Sequence, residues 1–157
     1  MKKRLLTILL ILVLILSVFA FVACGDDSTV TPQTGDSMTV VIQGKKTTAS
    51  YVINLEGQAF TTESKVIDVL FYLRDNEGLC LDGSTSTYGY WLTGIGGLKP
   101  SGTEWICVYT SVFDEQDLST NPLNKIDYNG TSVIAANLGV SSLTFGKDVV
   151  ILFAIAQ

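Results

Sequence analysis

The stretch TESKVIDVLFYL, residues 62–73, is the part of this chain with a clear helical pattern. Its apolar residues recur at the spacing that places side chains on one face of a helix: Val66, Val69, Leu70 and Leu73. Thr62 can cap the first turn, and Glu63 is favourable near the positive end of the helix dipole. Asn76-Glu77-Gly78 ends the pattern. We therefore expect one amphipathic helix that packs against the rest of the domain.

Segments with a β pattern lie on both sides of this helix. Before it, residues 38–42 and 49–55 are joined by a turn at Gly44-Lys45-Lys46. After it, the predicted strands are 79–81, 88–95, 104–111, 132–137 and 148–156, with a polar loop near 114–124. The last strand contains the unbroken apolar run VVILF at 149–153, which predicts burial on both faces. Two strands, one helix and further strands indicate an α+β fold, a mixed sheet with the helix across one face.

The N-terminus has the order typical of a bacterial lipoprotein signal. Basic residues 2–4 precede an apolar run at 5–22, and Ala23 then precedes Cys24 and the polar residues 25–27. This order predicts that residues 1–23 are a signal peptide and that Cys24 is acylated. A transmembrane anchor or an ordinary secretory signal is the alternative, because the run approaches the ~18 residues that can span a bilayer. The cysteine directly after Ala23 favours lipidation.

The composition restricts the function of the mature chain. Residues 24–37 read as the lipidated cysteine and a flexible tether, and residues 38–157 as one domain facing outward from the membrane. Without the three basic residues of the signal, 7 basic residues remain against 15 acidic ones, a net charge of −8. Such a chain is not expected to bind nucleic acid. The sequence contains no histidine, which counts against an enzyme and against a metal site.

Two cysteines remain after Cys24 is assigned to the lipid. Outside the cytoplasm, Cys80 and Cys107 could form a disulfide, which would stabilise the fold by about 3–3.5 kcal/mol. The alternative is a pair of free thiols that pack as small apolar side chains. The sequence leaves both open.

Three segments resemble a known family, the transcobalamin-like C-terminal domain. They are SKVIDVL at 64–70, YGYWLTGIGGL at 88–98, and GVSSL at 139–143 with Gly146-Lys147-Asp148. The resemblance covers residues 38–157 and implies a β-grasp-like fold that binds a soluble ligand. In the animal vitamin B12 carriers this domain closes over a corrinoid beside a larger helical domain. The resemblance therefore implies a corrinoid as a candidate ligand.

Five aromatic residues close together in the sequence are candidates for binding such a ligand: Tyr88, Tyr90, Trp91, Trp105 and Tyr109. Along a strand, Tyr88 and Tyr90 share one face and Trp91 takes the other. Beside the glycine-rich residues 94–97, such rings could form a shallow surface for a planar or sugar-like ligand. The alternative is that they form the core of a small sheet. We expect a mixture, with Trp91 or Trp105 buried and the tyrosines partly exposed.

Two further motifs have competing interpretations. The acidic run at 114–117 suggests calcium, but its spacing differs from that of an EF-hand, so a solvated loop is favoured. Asn129-Gly130-Thr131 has the form of a glycosylation site, but Asn-Gly is first a signal for a tight turn.

Two functions from different classes fit these observations. The first is a non-enzymatic, lipid-anchored binding module without a cofactor, which presents a corrinoid or another small soluble molecule to an uptake transporter. The second is a protein-interaction or adhesion module of the cell envelope, in which exposed strands or aromatic residues contact another protein or a wall polymer. A concave aromatic pocket would favour the first function, and a flat apolar patch or an uncovered sheet edge the second.

Overall fold

Eight β-strands and one α-helix make up residues 36–156, the part of the chain described by the structure, a computed structural model. In chain order they are β1 (Ser37–Gln43), β2 (Thr48–Asn54), α1 (Val66–Glu77), β3 (Leu81–Ser86), β4 (Gly89–Ile95), β5 (Trp105–Thr110), β6 (Lys125–Tyr128), β7 (Thr131–Ala135) and β8 (Val150–Ala156), with a 3₁₀ turn at Phe113–Glu115.

The strands form one large sheet and one small sheet. The large sheet has the order β2-β1-β8-β5-β7-β6, in which β1 and β8 are parallel and the other neighbours antiparallel. Among the strands of residues 36–156, β3 and β4 pair only with each other, as an antiparallel hairpin. The predicted α+β class, with a mixed sheet and one main helix, is confirmed.

Strand β8 occupies the centre of the large sheet and is buried on both faces. Val150 is 8% exposed, and the next three residues, Ile151, Leu152 and Phe153, are at most 1% exposed. A strand in this position has neighbours on both edges and side chains covered on both sides, so a continuous apolar run is the pattern that it requires. The burial predicted from residues 149–153 is confirmed for these four residues.

Each face of the large sheet has its own core. On one face, α1 packs over alternate residues of β1 and β8, and this helix-side core includes Val40, Ile42, Leu70, Leu73, Ile151 and Phe153. The intervening residues point to the opposite face, where the second core consists of Val41, Tyr109, Val133, Val150 and Leu152. No helix within residues 36–156 covers the second core. It is enclosed instead by the curl of the sheet, whose outer strands β2 and β6 approach each other.

The start of α1 differs from the prediction. The helix begins at Val66, and Thr62 does not cap it. The amides of Val66 and Ile67 donate to the carbonyls of Leu143 and Val140, and the amide of Lys65 donates to Asp68 Oδ2 at 2.7 Å. The first turn is therefore capped by a distant loop and by its own aspartate, which satisfies amides that have no partner within the helix. The predicted end is confirmed, since Gly78 follows α1 in the left-handed conformation.

Two strands differ from the predicted segments: β6 lies where no strand is predicted, and β3 is longer than predicted. Residues 125–128 form β6, and Asn129 and Gly130 make the tight turn that connects it to β7, with φ of 49° and 83°. The turn interpretation of Asn-Gly is confirmed. Strand β3 continues from Leu81 to Ser86, through a Ser/Thr/Gly segment with no apolar alternation.

The predicted signal peptide at 1–23, the predicted lipidation site Cys24 and the predicted tether up to residue 35 lie outside the described residues. The tether was predicted to reach residue 37, but Ser37 already pairs with Asn54 in the large sheet. The single α-helix within residues 36–156 is too short and too polar to cross a bilayer.

Candidate functional site

A cleft of about 460 Å³ lies between the β1–β2 turn and the segment that follows β4. We call it the polar cleft. It is lined by Ile42, Gly44, Lys45, Thr47, Ala49, Gly96, Gly97, Leu98, Lys99, Ser101, Glu104 and Ile155. Its apolar side chains come from β1, β2, β8 and Leu98, and its charged ones from the two connecting segments. The cleft therefore combines an apolar floor with a charged rim.

Glu104 is the most firmly held polar group of this cleft. Its Oε1 lies 2.9 Å from Lys45 Nζ, and its Oε2 accepts hydrogen bonds from the amide and hydroxyl of Ser101, both at 3.2 Å. The Glu104 side chain is 11% exposed, whereas that of Lys45 is 73% exposed. The carboxylate is fixed by the loop that carries it, while the ammonium group reaches in from solvent. Because the Lys45 end of this ion pair lies in solvent, the pair contributes little to stability.

The glycine turn at 96–97 gives the cleft its shape. Gly96 has a φ of 53°, and a Cβ built on it would lie 2.5 Å from Ile42 Cδ1. Its amide donates to the carbonyl of Cys80 at 2.8 Å. Only glycine allows the backbone to approach the apolar floor so closely in this conformation. The glycines near β4 were expected to adjoin a ligand surface. Gly96 allows the backbone to come close to Ile42, and Gly96 and Gly97 also line the cleft.

The five aromatic candidates do not form one surface. Tyr90 packs against the helix-side core, with its ring edge-on to Phe71 at a centroid distance of 5.4 Å. Tyr109 belongs to the second core on the opposite face of the large sheet. Its hydroxyl donates to Asn124 Oδ1 at 3.0 Å, and burial, with a further contribution from Cys107, raises the pKa of Tyr109 to about 12. These two tyrosines are structural elements of two different cores.

The other three aromatic candidates are exposed. Tyr88, in the β3–β4 turn, is 99% exposed, and Trp91 on β4 is 71% exposed. Trp105, at the start of β5, is 51% exposed. The expectation that one tryptophan would be buried is therefore wrong. Trp91 points away from the helix-side core because its neighbours Tyr90 and Leu92 point towards it.

The two cysteines are free thiols in the structure, so the disulfide that the sequence left open is not formed. Cys107 is half-buried against the second core, where burial raises the pKa of its thiol. Cys80 is exposed on the connection between α1 and β3. Cys107 lies on the face of the large sheet that is turned away from α1.

The acidic run at 114–117 is not a uniformly solvated loop. Glu115 is buried, and its Oε1 accepts a hydrogen bond from the amide of Thr144 at 2.8 Å, while its main-chain oxygen accepts one from Asn137. Asp117 bonds Ser119 within the loop. Glu115 thus connects the 3₁₀ turn to the loop that caps α1. Within residues 36–156, no three His, Cys, Asp or Glu side chains are grouped as metal ligands.

Sequence reasoning missed the three polar residues of the cleft, Lys45, Ser101 and Glu104. They come from separate turns that the fold brings together, and no local spacing links them. The glycine pair at 96–97 was the available signal, because it marks a position where another part of the chain comes close.

Comparison with known proteins gives a structural likeness only. No protein-family profile matches the chain, and neither does any curated protein. Among solved structures, it is similar to one described as a "putative metal binding protein from Ruminococcus gnavus ATCC 29149". The two share 12% sequence identity with a TM-score of 0.49, over 78% of this chain and 97% of the other.

Proposed function

We propose that this chain is a lipid-anchored, outward-facing binding module for a small soluble ligand, with the polar cleft as its ligand site. The observation that carries the proposal is the cleft itself. Its volume of about 460 Å³ lies within the ~300–1,000 Å³ of small-molecule sites. It also combines an apolar floor with a few fixed polar groups, the usual composition of such sites. The proposed role is binding and presentation, without catalysis.

The corrinoid suggested by the resemblance is a special case of this proposal. A complete corrinoid, with its amide side chains, would exceed the volume of the polar cleft, so it would lie across the mouth and insert one peripheral group. Glu104 and Ser101 offer hydrogen-bonding partners for the amide side chains of a corrinoid. Delivery to an uptake transporter, and the relation of the fold to β-grasp modules, are parts of the same proposal.

The location is proposed from the N-terminal sequence. Acylation of Cys24 would hold the domain at the membrane through buried methylene groups, each contributing ~0.8 kcal/mol. The net charge of −8 would oppose attraction to anionic headgroups, so the acyl chains would supply the attachment. Radiolabelled fatty acid supplied to growing cells should be incorporated into the protein, and replacement of Cys24 by Ser should abolish that incorporation. Equal incorporation in the Cys24→Ser variant, or none in the wild-type chain, would contradict acylation at Cys24.

Ligand binding is tested by calorimetric titration of the full chain in detergent with cobalamin and with a corrinoid that lacks the nucleotide loop. Saturable binding at micromolar affinity or better supports the proposal. The variant Ala49→Trp places a large ring in the polar cleft from an exposed strand position and should abolish that binding. Val52→Trp, on the same strand but outside the cleft, is the matched control and should bind normally.

The titration also has outcomes that contradict the proposal. No detectable heat with either compound at several temperatures removes corrinoids as ligands. Binding that is unaffected by Ala49→Trp removes the polar cleft as the site. Either result leaves the anchor experiment unaffected, so the two parts of the proposal fail separately.

A second candidate function is favoured by one specific observation. Tyr88 and Trp91 are the two most exposed large apolar side chains in residues 36–156, and both belong to the β3–β4 hairpin. Neighbouring exposed aromatic residues are typical of surfaces that contact other macromolecules. They support an envelope interaction or adhesion module. Under this alternative, Trp91→Ala would weaken attachment to the envelope and Ala49→Trp would not.

A further inference from the structure

The β3–β4 hairpin has one face that consists of a single large ring among hydroxyl groups. Trp91 is directly opposite Ser84 in the strand register, and Gly89 is opposite Ser86. Beyond Leu92 the register shifts, with Gly83 opposite Leu92 and Asp82 opposite Gly94, so alternation does not fix the side on which Thr93 lies. We call the side formed by Ser84, Ser86 and Trp91 the Trp91 face. All three residues are exposed.

The opposite side of the hairpin is packed, which holds the Trp91 face in place. The ring of Tyr90 contacts Phe71 of α1, and a Cβ built on Gly83 would lie 2.6 Å from that ring. The amide of Tyr90 also donates to Ser141 Oγ at 2.8 Å, which joins β4 to the loop after β7. The backbone beneath Trp91 is therefore anchored on the side facing the core. A ligand that stacks on Trp91 would therefore bind to a strand that is already ordered, which lowers the entropy cost of binding.

The charge distribution indicates a neutral ligand. The sequence has no charged residue between Asp82 and Lys99, although the chain has 25 charged residues in 157. Asp82 is paired with Lys99 at 3.2 Å, so the charges that border the hairpin are matched to each other. A site for an anionic polymer or a charged peptide would be expected to offer an opposite charge beside the ring. The Trp91 face offers hydroxyl groups instead.

The surroundings of Trp91 also differ from those of a protein-binding surface. The centre of a protein interface is usually a cluster of apolar side chains that exclude water from one another. On the Trp91 face the neighbours are Ser84 and Ser86. Ser86 Oγ already donates to the carbonyl of Gly89 and accepts from the amide of Tyr88, so it can accept a further hydrogen bond from a ligand, whereas Ser84 can donate and accept. A pyranose ring suits this arrangement, because its C–H groups can lie flat on an indole while its hydroxyl groups bond to neighbouring hydroxyls.

We infer that the Trp91 face binds a neutral polysaccharide, with Trp91 as the stacking ring and Tyr88, at the adjoining turn, as a second contact. This inference gives the adhesion alternative a chemical class of partner, a glycan chain. It does not depend on the polar cleft, with which the Trp91 face shares no residue. A negative result in the cobalamin titration leaves it unchanged, and its own failure leaves the cleft proposal unchanged.

The test uses the tryptophan fluorescence of the full chain in detergent. The sequence has two tryptophans, so Trp105→Phe leaves Trp91 as the reporter. This variant is titrated with neutral hexasaccharides of β-1,4-linked glucose, β-1,4-linked N-acetylglucosamine and α-1,4-linked glucose. A saturable blue shift with at least one of them supports the inference. The affinity should change less than about twofold between low and high salt, because no ion pair contributes.

Affinity electrophoresis in gels that contain the corresponding polymer identifies the residues. Trp91→Ala should weaken retention at least about tenfold, the effect of ~1.4 kcal/mol, and Tyr88→Ala should weaken it less. Phe113→Ala is the matched control, since Phe113 is a ring of similar exposure on another surface, and its retention should equal wild type. The inference is overturned if no saccharide shifts the fluorescence, if Trp91→Ala is retained like wild type, or if salt abolishes binding.

Discussion

The hydroxyl of Tyr128 lies 3.0 Å from Ser50 Oγ, and this hydrogen bond joins β6 to β2, the two outer strands of the six-stranded sheet. The two residues are far apart in the sequence and lie at opposite ends of the strand order. Their contact requires a sheet curled so strongly that its edges meet. The curl encloses the second core, which no helix of the described part of the chain covers.

Replacement of Tyr128 by Phe removes this hydrogen bond and keeps the ring. We expect a loss of about 0.5 kcal/mol in the free energy of unfolding, the low end for a hydrogen bond, because the pair is accessible to water. Amide hydrogen exchange should become faster at residues 48–54 and 125–128. Tyr88→Phe, which removes an exposed hydroxyl from a turn, is the control. Unchanged exchange in both outer strands would show that the contact does not hold the sheet edges.

Replacement of Phe153 by Ala should be among the most destabilising single changes in the domain. The side chain is fully buried at the centre of β8, so its removal leaves a cavity in the helix-side core. The expected loss is about 3–5 kcal/mol of unfolding free energy, measured by urea denaturation. Val52→Ala, at an exposed position of β2, should cost less than about 0.5 kcal/mol. Equal losses for the two variants would contradict the assignment of β8 as the central strand.

The raised pKa of Tyr109 predicts a loss of stability at alkaline pH. Tyr109 has a pKa of about 12 in the folded protein and 10.0 as its ordinary value, so the unfolded chain loses this proton first. Its contribution is fully present below pH 10 and declines as pH rises towards 12. Urea denaturation at increasing pH should show this decline. Tyr109→Phe cannot ionise there, so it should give a flatter pH dependence in the same range. An equally steep decline in that variant would assign the effect to other groups.

Thiol labelling distinguishes the states of the three cysteines. In the native protein Cys80, which is exposed, should react quickly, whereas Cys107 should react slowly because it is half-buried and its thiol pKa is raised by burial. After denaturation without reductant, two labels indicate that Cys24 is acylated and the other two thiols are free. Three labels would contradict acylation of Cys24. A requirement for reductant before any labelling would show that a disulfide forms between Cys80 and Cys107.

Local sequence determined the elements in which the burial pattern and the backbone preferences of the segment itself favour one structure. The run at 149–153 predicted a strand buried on both faces, and β8 is the central strand of the sheet. Asn129-Gly130 predicted a tight turn, because both positions require positive φ. The spacing of Val66, Val69, Leu70 and Leu73 predicted one buried helix face, and all four are at most 1% exposed. In these cases the pattern of side chains and the backbone preference point to the same structure.

The tertiary structure decided what depended on distant parts of the chain. Residues 82–86 have no apolar alternation, and they form part of β3 because β4 supplies the backbone partners. The first turn of α1 is capped by carbonyls of the 140–143 loop, so its start could not be inferred from neighbouring residues.

The same distinction applies to the candidate sites. Alternation along a strand predicts that Tyr90 and Trp91 point to opposite sides, but only the packing of α1 decides that Tyr90 is the covered one. The polar cleft exists because the β1–β2 turn and the loop before β5 come together through the fold. Sequence patterns determine which side of an element is apolar, whereas long-range packing determines what lies opposite and which polar groups meet.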